Sequence, residues 1–345
     1  MNIKIRLTLM NFLQYAVWGA WLISLGAYLG NTLKFDGLQI GSFFATMGIA
    51  SLFMPAVMGI IADRWIPAQR LLGLCHLCAA GFIALAATRT DYNTLYTLVL
   101  LSVMFYMPTI ALSNSVAYNA LDKAGLDTVT HFPPIRVWGT VGFICAMWVV
   151  DLAKMGLSST QLYFSAALGL ILGLYSFTLP DCPTDRTAGS KSLVDVFGLR
   201  AFALFKQRKM AIFFIFSMLL GMSLQITNAF ADSYIKSFGD TLIHGDKYLG
   251  TFGVEHSTIL ISLPQISETL CILLIPFFLK RFGIKRVMLI AMFAWVLRFA
   301  LLGAGNPGPG VWMFILSMIV YGVAFDFFNI SGSLFVEKET AAAIR

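Results

Sequence analysis

Residues 59–70 read GIIADRWIPAQR, and residues 276–286 read PFFLKRFGIKR; each follows a long apolar run and aligns Asp63-Arg64 with Lys280-Arg281. At nearly the same offset, Phe105-Tyr106 and Asn114 match Val320-Tyr321 and Asn329. Helix order and residue type are both kept, which marks an internal repeat and a chain built in two halves.

The runs around these loops set the solvent. Of the 345 residues, 58% are hydrophobic and only 12% charged, and the mean hydropathy is +0.80. A soluble domain carries roughly 25% charged residues. Apolar stretches of about 20 residues match a bilayer's hydrocarbon core, and they recur at 7–29, 41–62, 71–88, 95–118, 135–150, 162–179, 210–230, 257–278, 287–302 and 311–335. The expected fold is therefore an all-α polytopic membrane protein of about ten helices. The first stretch is too long for a signal-peptide core and has no small-residue cleavage site, so it reads as a retained helix. Residues 180–209 form the longest non-apolar segment, which gives a six-helix half at 1–180, a linker at 181–209 and a second half at 210–345.

The first half continues past its fourth helix into Ile135-Arg136 and two more helices, whereas the second reaches Ile344-Arg345 at the same register. The repeat thus predicts a twelve-helix plan from which the last two helices are missing.

The net charge of +7 falls in short loops between apolar spans, so it reports orientation and not nucleic-acid binding. Lys4, Arg6, Arg64, Arg70, Lys123, Arg186, Lys191, Arg200, Lys206, Arg208, Lys209, Lys280, Arg281, Lys285, Arg286 and Lys338 fall on one side, and Lys34, Arg89, Lys154, Lys236 and Lys247 on the other. The richer side is cytoplasmic by the positive-inside rule, and the amino terminus lies with it. Cys75 and Cys78 form a CxxC within an apolar span with no further Cys/His set. They read as structural thiols, and no metal site is expected.

Ionisable residues deep in a span are costly and are functional candidates. Glu268 and Asp326 lie mid-span, and Arg136 enters the fifth span behind Pro133-Pro134, with the helix start open on either side of the prolines. Arg298 is close enough to a span end to reach the outer surface by snorkelling, and reads as structural. Polar and aromatic residues share faces with these charges. Arg136, Thr140 and Phe143 stand at i, i+4, i+7, Gln225 and Asn228 at i, i+3, and Gln265 and Glu268 at i, i+3; Phe325-Asp326-Asn329 sits one turn beyond Tyr321. Gln and Asn also serve as interhelical glue, but four stripes with three charges predict a polar central cavity.

Such a cavity suits a polar, uncharged ligand: amides and carboxylates bond hydroxyls and amide-like edges, and Phe143, Tyr321 and Phe325 offer faces for a ring. Sugars and nucleosides both fit. No phosphate-binding loop or nucleophile with its base is present in the sequence, so neither ATP-driven transport nor enzymatic catalysis is expected. An ion gradient is then the energy source, with no cofactor. Asp326 and Glu268 are the candidate proton carriers, with Asp326 expected to pair with Arg136 in one state and to be protonated in another.

Gly59, Asp63, Arg64 and Arg70 resemble the loop signature of the major facilitator superfamily, in which an acidic residue at a helix end meets basic residues and helix termini and locks one conformer. The strings FLQYAVWGAWL from Phe12, LKFDG from Leu33, FPPIRVWGTVGF from Phe132, AIFFIFSMLLG from Ala211, LQITN from Leu224, QISET from Gln265 and FDFFNISGSLFVEKE from Phe325 closely resemble the nucleoside:proton symporter family within it. That resemblance covers the whole chain. It implies proton-driven uptake of nucleosides across the bacterial inner membrane by alternating access, and a site at Arg136, Thr140, Phe143, Gln225, Asn228, Gln265, Glu268, Tyr321, Phe325 and Asp326. The implied partners are nucleosides, protons and lipid, with a monomer as the working unit. Pro264, immediately before Gln265, is expected to disturb the eighth helix beside the site. A sugar:proton symporter of the same fold and a substrate-sensing receptor that has lost transport are the competing readings.

Overall fold

The computed structural model describes residues 2–184 and 204–339. Most of the expected linker, and the register match at Ile344-Arg345, lie outside these residues. Helices make up the described chain and no strand occurs among the described residues. Two compact units divide it, Met1–Lys191 and Ser192–Arg345.

In the first unit the long helices are α1 (Ile3–Gly19), α2 (Gly37–Arg64), α3 (Ala68–Ala86), α4 (Tyr92–Lys123), α5 (Thr128–Leu152) and α6 (Thr160–Ser176). The LKFDG string starts α2: Asp36 Oδ1 accepts from Gln39 N at 2.7 Å, and Gln39 Oε1 accepts from Asp36 N at 3.0 Å, a reciprocal cap that satisfies two orphan donors. Helix α1 packs along α5 and α6, α3 along α4 and α6, and α2 along α4. Leu7, Met10, Leu72, Cys75, Val116 and Leu121 meet in the core between them. The first expected span, 7–29, is not one helix, because α1 stops at Gly19 and a turn leads into a short π-helical segment, Tyr28–Thr32.

The second unit contains α7 (Arg208–Ser237), the run Leu263–Ala304 and α10 (Val311–Glu339). Gly283 divides that run, with φ 74° and ψ 165°, a region that favours glycine. We call its arms α8 (263–282) and α9 (284–304). Both pack on α10 through Ile275, Val287, Ala291 and Phe327. The chain enters α8 through a one-turn helix, Ser257–Leu260. Asp232 of α7 fixes that entry. Its buried carboxylate accepts from Ser257 Oγ at 2.5 Å and Lys236 Nζ at 2.7 Å.

Among the described residues, seven helices are long and apolar enough to cross a membrane, and Thr160–Ser176 and Ser257–Ile272 are shorter apolar helices. With no water in the bilayer core, backbone groups must bond internally, which helices accomplish. The protein is a multi-pass membrane protein.

Candidate functional site

Helix α5 begins before the two prolines, at Thr128, where the Asp127 carboxylate accepts from Thr130 N at 3.0 Å. Arg136 therefore lies two turns inside the helix. Its guanidinium carbon stands 3.9 Å above the centroid of the Tyr15 ring of α1. This approach depends on Gly139: a Cβ there would fall 2.5 Å from Tyr15 Cδ2 and 2.9 Å from Arg136 Nη1. One turn on, a Cβ at Gly142 would fall 2.1 Å from the Phe12 carbonyl oxygen, so glycines set the closeness of α1 and α5. Thr140 is half-buried beside them, and buried Phe143 meets Trp18 edge-on at 6.4 Å.

Behind this face lies a polar cluster that the sequence reading did not single out. Buried Gln14 donates through Nε2 to Thr109 Oγ1 at 2.7 Å and receives His76 Nε2 on its Oε1 at 2.8 Å. Thr109 Oγ1 donates to Tyr106 O, so it must accept from Gln14, and the amide orientation follows. His76 then carries its proton on Nε2. Tyr106 OH donates to the Gln14 carbonyl at 2.7 Å and its ring meets Trp18 at 5.8 Å. The signal was available: Gln14, Tyr15 and Trp18 all fall within one apolar helix.

At the loop of residues 59–70, Asp63 and Arg70 are exposed, Arg64 is half-buried, and a Cβ at Gly59 would meet nothing within 4 Å. The buried polar member is Gln69, which was not predicted. Its amide donates to Asp181 Oδ1 at 2.6 Å and accepts from Cys182 N at 2.9 Å. Lys123 Nζ donates to the Asp181 carbonyl.

In the second unit Pro264 has the effect expected of it. It lacks the N–H that would continue the helix from Leu260, and α8 starts afresh with this proline in its first turn. Gln265 thereby stands in a helix's first turn, its N–H bonded to Ser262 O at 3.1 Å, and Glu268 follows on the same face. Ser267 Oγ donates to the Ile319 carbonyl, which ties α8 to α10. Tyr321 and Phe325 of α10 stack at 5.6 Å and 4°. Asp326 is 3% exposed and its Oδ2 has no hydrogen-bond partner among the described residues. Glu268 lies within electrostatic range of both Asp326 and Tyr321. Gln225 and Asn228 are half-buried on α7. The unit thus brings Glu268, Tyr321, Phe325 and Asp326 together.

Arg298 corrects an expectation. It does not snorkel to the surface: it is 4% exposed, with its guanidinium carbon 4.3 Å from the Tyr321 centroid and 5.4 Å from that of Trp295. A cavity of about 690 Å³ opens between α7, α9 and α10, lined by Leu224, Trp295, Phe325, Asn329 and others. Of the four polar stripes it takes Phe325 and Asn329, and of the predicted binding residues only Phe325. Among the described residues no group of three His, Cys, Asp or Glu side chains gathers to hold a metal ion.

The sequence is 51% identical to nucleoside permease NupG of Escherichia coli K12, over all of this chain and 82% of that protein. It is also 51% identical to the xanthosine permease of the same organism, with the same coverage. The fold superposes on the crystal structure of an aspartate-to-alanine variant of the nucleoside transporter NupG with a TM-score of 0.94, covering 99% of this chain and 85% of that one. The architecture is that of a major facilitator-type transporter. The nucleoside H+ symporter family model matches residues 1–345 without interruption, and the chain belongs to that family.

Proposed function

We propose that the protein imports nucleosides together with protons by alternating access, across the bacterial inner membrane with its amino terminus in the cytoplasm. The observation that carries this reading is the pair of stacked rings, Tyr321 and Phe325, with the buried carboxylate of Asp326 within electrostatic range of Tyr321. A base stacks on such faces, a contribution of about 1–3 kcal/mol in other settings, and an unpartnered buried carboxyl is a natural proton carrier. The names of the two permeases supply the substrate class.

In this account Phe143, Tyr321 and Phe325 hold the base by their faces, while Thr140, Gln225, Asn228, Gln265 and Glu268 bond the polar edges of base and sugar. Asp326 and Glu268 take up the proton. Arg136 engages Asp326 when that carboxylate is charged and releases it on protonation, which links proton and substrate binding through one two-state element. Gly59, Asp63, Arg64 and Arg70 form the gating loop. The working unit is a monomer of two halves, 1–180 and 210–345 joined by 181–209, with six and about four spans respectively. The proton gradient is the energy source and no cofactor takes part.

Uptake of labelled uridine by the protein in proteoliposomes tests this reading. An imposed inward proton gradient is expected to drive accumulation that unlabelled nucleosides compete away and free sugars do not. Competition by sugars alone, or binding without flux, would overturn it.

A further inference from the structure

Arg298 lies in the interior of the second unit, where its Nε and Nη1 have no hydrogen-bond partner among the described residues. Its flat guanidinium covers Tyr321, whose ring lies parallel to Phe325; Trp295 meets Tyr321 edge-on at 6.1 Å and 84° and also faces the cation. Ser317 Oγ donates to the Arg298 carbonyl at 2.9 Å, which fixes α9 against α10 at this level. Tyr321 is therefore in contact with both the guanidinium and the Phe325 ring.

Packing does not explain an arginine here. Dehydrating a guanidinium costs far more than two aromatic faces return, and an apolar side chain of similar length fills such a place at no electrostatic cost. A charge retained against that cost inside a membrane protein marks function. The other half of the repeat offers a parallel. Tyr106, which matches Tyr321, also meets a basic side chain from the preceding helix, His76, at 5.9 Å. There the tyrosine is held by its hydroxyl on the Gln14 carbonyl, whereas Tyr321 is held by its face.

We propose that Arg298 is a positioning residue for substrate: by lying on Tyr321 it fixes the plane of that ring, and through it of Phe325, in the orientation on which a base stacks. This rests on the nucleoside reading above. Arg298 acts through Tyr321 and does not itself touch the substrate.

The test uses the intact protein in proteoliposomes, with labelled uridine and an imposed proton gradient, comparing R298M, R298K, Y321A and R298M/Y321A. R298M is expected to raise KM about tenfold while Vmax and the pH profile of uptake stay within twofold. R298K, which keeps a cation over the ring, recovers most of the loss. In the Y321A background R298M adds less than twofold, and the melting temperature of R298M equals or exceeds that of the unmutated protein. An unchanged KM in R298M, an equal effect in both backgrounds, or a shifted pH profile with KM unchanged would each overturn the proposal. So would an R298M protein that fails to fold, since the guanidinium would then be structural. Absence of uridine uptake by the unmutated protein would count against the nucleoside reading before any variant is compared.

Discussion

The guanidinium carbon of Arg136 stands over the ring of Tyr15, 3.9 Å from its centroid, and Gly139 one turn away leaves room for both. The contact holds a cation in place two turns inside α5. An alanine at 139 would meet side-chain atoms that can shift, whereas one at 142 would meet the Phe12 backbone, which cannot.

The two glycines should therefore separate function from stability. Gly142→Ala is expected to lower stability by about 1–3 kcal/mol, the usual range for overpacking, read as a fall in melting temperature in detergent. Gly139→Ala is expected to keep most of that stability and to lower uridine uptake at least tenfold. Equal melting temperatures for the two variants would contradict this division.

Asp326 is the carboxylate whose removal should uncouple flux from the gradient. Asp326→Asn keeps the shape and a hydrogen-bonding edge but cannot release a proton. Accumulation against a gradient should vanish while exchange of labelled for unlabelled nucleoside persists. Retained accumulation together with proton movement would remove Asp326 from the coupling role.

Asp232 makes a separate, structural prediction. It is buried and accepts from Lys236, Ser257 and Thr258. Asp232→Ala leaves the partly buried Lys236 ammonium without its partner and Ser257 without its acceptor, at a cost of about 1.5–3 kcal/mol for hydrogen bonds to a charged group. Ser257→Ala should cost about 1 kcal/mol, the net worth of one hydrogen bond. Thermal unfolding of the two variants should rank them in that order.

Cys182 reports on the clasp made by Gln69. Burial pushes its thiol above the ordinary range, so less thiolate is present at a given pH. In a protein with Cys182 as its single cysteine, maleimide labelling should be slow at pH 7.5 and rise as pH increases. Gln69→Ala frees the Cys182 N–H and should speed labelling several-fold at pH 7.5. Unchanged rates would mean that Gln69 does not hold the segment.

Much of this was legible in the sequence, and the exceptions share a physical cause. Apolar length and charge placement gave the membrane class because a bilayer imposes a thickness, and the spacing of Arg136, Thr140 and Phe143 put them on one face of one helix. Windowed hydropathy says nothing of which side chain a charge meets. It therefore assigned Arg298 to the surface, where the fold buries it against Tyr321. Tyr15 escaped notice because an aromatic residue in an apolar helix is ordinary until a cation lies on it. Gln69 escaped because its partners, Asp181 and Cys182, lie more than 110 residues away. Proline gave mixed guidance. Pro264 restarts a helix as its chemistry demands, while Pro133-Pro134 are carried within α5, which starts ahead of them at Thr128.

The central claim is that proton and nucleoside move together through one site, and uptake of labelled uridine with simultaneous recording of proton entry tests it most directly. The account predicts that an imposed inward proton gradient drives uridine accumulation, that adding uridine evokes proton entry, and that Asp326→Asn abolishes both. Uridine accumulation in the absence of any proton gradient, with no proton entry on addition of substrate, would contradict it.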